Sequence, residues 1–135
     1  MPREGEREVL ASRLVAFLET GSPPEGLFRP DVFCDLTLPG WRLQSVGVPG
    51  LVALRRSGHP DPGLVPRSRF DPTPGGFVLE VEERWEQGGQ SWYCREFLRA
   101  DVEAGAVGRL SVYCTGDRDD ARQRRHAAEV VLFRT

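Results

Sequence analysis

Between residues 77 and 117 apolar and polar side chains alternate, and only two short turns interrupt the pattern. Alternation with a period of two is the signature of strands with one face buried. Gly88-Gly89, between Gln87 and Gln90, reads as a two-residue hairpin loop, because glycine supplies the positive φ that tight turns need. Pairing across it sets Trp85 opposite Trp92, Glu82 opposite Arg95 and Val81 opposite Glu96. Glu103-Ala104-Gly105 fits a three-residue loop, which sets Leu98 opposite Leu110, Glu96 opposite Val112, Cys94 opposite Cys114 and Arg95 opposite Tyr113. This register defines two surfaces. One is apolar, running from Phe77, Leu79 and Val81 through Trp85, Trp92 and Cys94 to Leu110, Val112 and Cys114, with Glu83 and Glu96 as exceptions. The other mixes charge with aromatic rings and carries Arg95, Phe97 and Tyr113.

Elsewhere the period lengthens. Val9, Leu10, Leu14, Phe17 and Leu18 recur at helical spacing and predict a helix over Glu6–Glu19, stopped by Gly21. Ser22-Pro23-Pro24 opens a turn or short second helix, and Pro30-Asp31 reads as a breaker. A strand follows over Val32–Leu38, with Phe33, Asp35 and Thr37 on one face, and Trp41–Gln44 extends beyond Pro39-Gly40. Val48–Arg56 reads as a helix with Pro49 in its first turn. His59–Gly63 is a proline-rich loop, Leu64–Phe70 a short strand, and Asp119–Glu129 a charged helix. The apolar tail 130–133 is expected to dock on the body or on a partner chain. Helices segregated from a run of long strands imply an α+β fold, helices covering one side of a curved antiparallel sheet.

At 135 residues the chain is expected to form a single domain, 1–135, with a substantial core. A net charge of -2 argues against broad binding to nucleic acid or membrane surfaces. All 18 basic residues are arginine, which excludes a Schiff-base lysine. The three cysteines include no Cys-x-x-Cys pair. His59 and His126 read as exposed and have no partner at ligand spacing, so no metal site is expected. The charged N-terminus lacks a signal-peptide pattern, and no segment is long and apolar enough to span a bilayer. A reducing cytoplasm follows as the simplest setting, and a Cys94–Cys114 disulfide is not expected there.

The whole chain resembles the nuclear transport factor 2-like superfamily, which includes ketosteroid isomerases, limonene epoxide hydrolases and SnoaL-type polyketide cyclases. The resemblance is carried by the opening helix, by Phe28-Arg29-Pro30-Asp31-Val32-Phe33-Cys34-Asp35, by the helix over Val48–Arg56 and by the closing Val112-Tyr113-Cys114-Thr115-Gly116-Asp117. Arg118 stands where similar members carry an aromatic residue. The resemblance implies a cone, a bent sheet around a cavity closed by the N-terminal helices. It further implies a small hydrophobic ligand, a homodimer through the outer sheet face, and chemistry without a cofactor: isomerisation, cyclisation or epoxide opening. Other members only bind, so a non-catalytic binding or dimeric interaction module is the alternative.

Such chemistry needs a carboxylate in a dry pocket and a donor for developing oxyanion charge. Glu96 interrupts the apolar face. If that face lines the cavity, Glu96 suits acid or base work; if it is a dimer interface, Glu96 pairs with an arginine. Asp117 follows the last strand, where cyclases of the family carry an acid/base aspartate; capping of the terminal helix by Asp117 or Asp119 is the competing reading. Asp35 lies near the position of an isomerase base, against a solvated strand residue. Arg95 and Tyr113 form a possible donor pair, and they and Glu96 point to opposite faces of the sheet. Trp41, Phe33, Trp92 and Phe97 are the candidate substrate-binding aromatics, with core packing the competing reading for the tryptophans and Phe97.

Overall fold

The structure is a computed structural model and describes residues 2–135. Its elements run α1 (Glu4–Thr20), β1 (Phe28–Leu38), β2 (Trp41–Val46), α2 (Val48–Gly58), β3 (Gly63–Thr73), β4 (Gly76–Gln87), β5 (Gln90–Glu103), β6 (Ala106–Cys114) and α3 (Asp120–Glu129). One six-stranded sheet has the order β2-β1-β6-β5-β4-β3. It curls without closing, and the sheet is mixed: β1 runs parallel to β6, whereas the other neighbours are antiparallel. The expectation of a wholly antiparallel sheet fails at that one pair.

The apolar face is the inner one. Phe77, Leu79, Val81, Cys94, Leu98, Leu110 and Val112 are all buried on it. Leu10, Leu14, Phe17 and Leu18 of α1 and Leu51 of α2 pack against it and close the cone. Val9 does not join that stripe and is exposed. The Phe17 ring meets Phe28 edge-on at 5.2 Å. α1 ends where Gly21 adopts φ +74° and its N–H returns to the Phe17 carbonyl at 2.7 Å, a left-handed cap that favours glycine. Residues 22–27 form turns, and no second helix appears there.

The β4–β5 register agrees with expectation at every quoted pair. The β5–β6 register does not. Its turn is the two residues Ala104 and Gly105, both at positive φ, and the pairing shifts between Asp101–Arg109 and Val102–Val107, leaving Gly108 as a bulge. Glu96 therefore faces Cys114, Phe97 faces Tyr113 and Leu98 faces Val112. The slip is two residues, an even number, so every side chain keeps its expected face. Pro30 and Asp31 do not break the chain; they fall within β1, where its pairing with β6 is irregular between Phe28 and Phe33. Pro66 and Pro72 sit in β3, an edge strand, where a missing N–H costs no ladder bond on the open side.

Candidate functional site

The cone encloses a cavity of about 130 Å³ between α1, α2 and the inner face of β1, β6 and β5. Leu36, Leu51, Leu54, Leu110 and Val112 give it an apolar wall. One end is polar and brings together Arg55, His59, Glu96, Cys114 and Asp117.

Arg55 organises that end. It sits in the last turn of α2, and its side chain is buried against the sheet. Its guanidinium grips Glu83 through two bonds, Nη1 to Oε2 at 3.1 Å and Nη2 to Oε1. Nη2 also donates to the Leu18 carbonyl near the end of α1, at 2.5 Å. Glu96 Oε1 lies 3.8 Å from Nη1, too far for a hydrogen bond, and it is buried without any hydrogen-bond partner among the described residues. One arginine thus supplies counter-charge to two buried carboxylates, and of the two only Glu96 lines the cavity and keeps an oxygen without a hydrogen-bond partner among the described residues.

His59 and Asp117 complete the mouth. His59 packs on the Trp85 ring at 4.2 Å between centroids and lies 3.7 Å from Asp117 Oδ1 through Nε2. Burial, and then the charge of Arg55, push the imidazole down to about 3, so it is neutral at physiological pH. Asp117 stands at the rim and is exposed, with 37% of its side chain accessible. Desolvation and then the charge of Glu83 raise its carboxyl above the usual range, with Arg55 opposing. Asp117 does not cap α3. Asp119 does, accepting from the Arg122 N–H at 2.9 Å.

An NTF2-like protein from Anabaena variabilis superposes with a TM-score of 0.66 over 87% of this chain and 96% of that one, at 12% identity. The chain has the nuclear transport factor 2-like fold. An NTF2-like protein from Cytophaga hutchinsonii matches with a TM-score of 0.60 over 84% of this chain and 99% of that one, at 12% identity. A phenazine biosynthesis-related protein from Pseudomonas aeruginosa matches with a TM-score of 0.59 over 97% and 92%, at 16% identity. No family model matches the chain, and no curated protein matches it by sequence.

Within this NTF2-like cone the expected site residues divide by face. Glu96 and Asp117 reach the cavity. Arg95 and Tyr113 do not; they lie on the outer face, where Arg95 pairs with Glu80 at 2.9 Å and Tyr113 is exposed. The alternation that turns Glu96 inward turns both donors outward. Asp35 is also on the outer side and is held bidentately by Arg42, Nε to Oδ1 at 2.8 Å and Nη2 to Oδ2 at 2.5 Å. Those bonds hold its carboxyl below the usual range, and Gln44 and Arg109 add to the effect. Asp35 is therefore committed to an ion pair rather than free as a base. Phe97 and Trp41 are exposed, and the Phe33 ring packs under Arg109 at 5.3 Å, so none of the three lines the cavity. Trp92 stacks on Trp85 at 6.3 Å and donates from Nε1 to the Gln87 carbonyl at 3.1 Å, outside the cavity lining.

Arg55 and His59 line the polar end of the cavity, and neither was a candidate from the sequence. The expectation that His59 is exposed is corrected by its packing on Trp85. Two triads, His59 with Cys94 and Asp117 and Glu83 with Cys94 and Glu96, hold donor atoms within 4.8 Å of one another, a metal-like spacing that sequence distance conceals. Arg55 already brings a positive charge to this end, and the Cys94 thiol is pushed up by its hydrogen bond with Cys114 and by burial. Both effects oppose a dication there. Cys114 accepts from the Gly116 N–H at 3.4 Å, and all three cysteines are free thiols.

Proposed function

We propose that the chain is a small enzyme that transfers a proton on a small, largely apolar carbonyl compound, using its own carboxylates and no cofactor. The observation that carries this reading is the buried Glu96 carboxylate: Glu96 lines the apolar cavity that also reaches Asp117, and its Oε1 has no hydrogen-bond partner among the described residues. Glu96 acts as the base, with Arg55 as its counter-charge. Asp117 keeps its proton to higher pH than an ordinary aspartate and donates to the oxyanion that forms as the proton leaves. Neutral His59 lies beside Asp117 at the mouth, with Nε2 3.7 Å from Oδ1.

Cavity size sets the substrate class. An apolar cavity of about 150 Å³ admits benzene, so about 130 Å³ suits a single six-membered ring and is too small for a steroid or a fused polyketide. The similarity to a phenazine biosynthesis-related protein fits a role in small-molecule metabolism and says nothing of the reaction.

The test is exchange of the α-hydrogens of cyclohexanone in heavy water, followed by proton NMR. A positioned base contributes about 10²–10⁴-fold, and Glu96→Gln should remove that much. Asp117→Ala should cost about 10²-fold, and Asp117→Asn, which still donates, less. Asp35→Asn should leave exchange unchanged. Equal exchange by wild type and Glu96→Gln would reject the reading. Saturable binding of cyclohexanone without exchange would favour the non-catalytic binding module.

A further inference from the structure

A second concavity lies on the opposite side of the sheet. The outer face of β3, β4 and β5, together with α3 and the residues after it, forms a groove of about 560 Å³. Five arginines line it: Arg67, Arg84, Arg95, Arg118 and Arg134. The chain as a whole is acidic, with a net charge of -2, so this density of positive charge is local.

The groove's own carboxylate does not neutralise it. Glu82 is the acidic side chain among its lining, and both of its oxygens are engaged, while Arg67 also donates to the Thr135 carbonyl oxygen at 2.7 Å. Oε1 accepts from the Tyr93 hydroxyl at 2.5 Å, and Oε2 faces Arg67 at 3.7 Å. Arg95 is paired outside with Glu80. Arg84, Arg118 and Arg134 have no carboxylate within 4 Å among the described residues.

Two of these three lie near the same tyrosine ring. The Arg84 guanidinium lies 4.6 Å from the centre of the Tyr93 ring, and that of Arg118 lies 6.0 Å from the same centre. A ring quadrupole attracts each cation by about 0.5–1 kcal/mol at an exposed site, but like charges on one ring repel. Arg84 is tied through its side chain, and Arg118 is placed beside the ring by its backbone. Arg84 donates to Gln123 Oε1 at 3.2 Å. The Arg118 backbone forms a bridge to Tyr93, N–H to carbonyl in both directions at 3.0 and 2.8 Å. Guanidiniums grouped in one groove without a carboxylate partner are the usual equipment for phosphate, whose several oxygens accept from more than one fork at once.

We infer that this groove binds a small phosphate-bearing molecule with more than one anionic group, of pyrophosphate to nucleotide size. Several uncompensated charges call for several negative ones, and the volume lies within the range of small-molecule sites. The inference is independent of the cavity chemistry, since groove and cavity lie on opposite faces of the sheet.

The test is isothermal titration of the full chain with pyrophosphate, adenosine triphosphate and citrate. The phosphate probes should bind one per chain, more weakly as salt rises, and at least tenfold more weakly in Arg84→Ala and in Arg118→Ala. Arg84→Gln guards against loss of the Gln123 contact and should weaken binding as much. Arg109→Ala, whose guanidinium lies over Phe33, should bind as wild type does. No saturable binding, affinity unchanged in the groove variants, or citrate as tight as pyrophosphate would each overturn the inference.

Discussion

Replacing Arg55 by methionine tests the electrostatic frame of the site. Methionine keeps most of the length and the apolar stem but removes the charge. Arg55 and its two carboxylate partners are nearly fully buried, with side-chain exposures of 10%, 5% and 5%. Removing one partner from a buried ion pair costs about 3–5 kcal/mol, because the remaining charge stays desolvated. The Leu18 carbonyl also loses its donor. With an unfolding entropy of about 2.1 cal/mol/K per residue over 135 residues, that loss lowers Tm by about 10–18 °C. Chemical denaturation at pH 7 reads the same loss directly. The double variant Arg55→Met with Glu83→Gln should recover at least about 1.5 kcal/mol of the single-variant loss, since it removes a stranded charge along with its partner. A single-variant loss under about 1 kcal/mol, or strict additivity in the double variant, would refute the claim that Arg55 balances buried carboxylates.

Two further outcomes are expected on stability. His59 titrates near 3 when folded and near 6.5 when unfolded, so the unfolded chain binds the extra proton between those values. Its contribution is full above about pH 6.5 and is lost as pH falls toward 3, at up to about 1.4 kcal/mol per pH unit. Asp117 has the opposite sign, its raised folded pKa giving stability that is lost as pH rises. Urea unfolding at pH 7, 6 and 5 should show a shallower fall for His59→Gln than for wild type; parallel falls would place His59 in solvent. Gly76→Ala should destabilise by about 1–3 kcal/mol, because a Cβ there collides with the Ala100 carbonyl oxygen across the β4–β5 pair. Thermal melting checks it, and an unchanged Tm would show that the strands can part at no cost.

Much of the sheet was legible because glycine turns set register. Gly88-Gly89 sufficed to put Glu83 and Glu96 on the apolar face, where both are buried, and of the two Glu96 was the candidate for the site. At the next turn Gly108 absorbs the register shift, and nothing local distinguishes a bulge glycine from an ordinary strand residue. The parallel pairing of β1 with β6 joins segments about seventy residues apart, and no local pattern encodes it. Arg55 and His59 were illegible for a related reason. Arg55 looks like a basic residue at a helix C-terminus, which is its ordinary place, and only packing of α2 on the sheet reveals Glu83 as its partner. His59 lies beside prolines, and its burial depends on Trp85, in a strand far along the chain. Asp117 was weighed against capping, and only the bond from Arg122 to Asp119 separates the two aspartates.

The central claim is that a small ring binds with its oxygen toward Asp117 and its reacting carbon toward Glu96. Phenol is a stable mimic of an enol and has the size of benzene. A crystal structure of the protein soaked with phenol tests the claim most directly. The account predicts phenol within the cone, its oxygen within about 3.2 Å of the Asp117 carboxyl and its ring between Leu110, Val112 and Glu96. Phenol excluded from the cone, or bound with its oxygen turned away from Asp117, would contradict it.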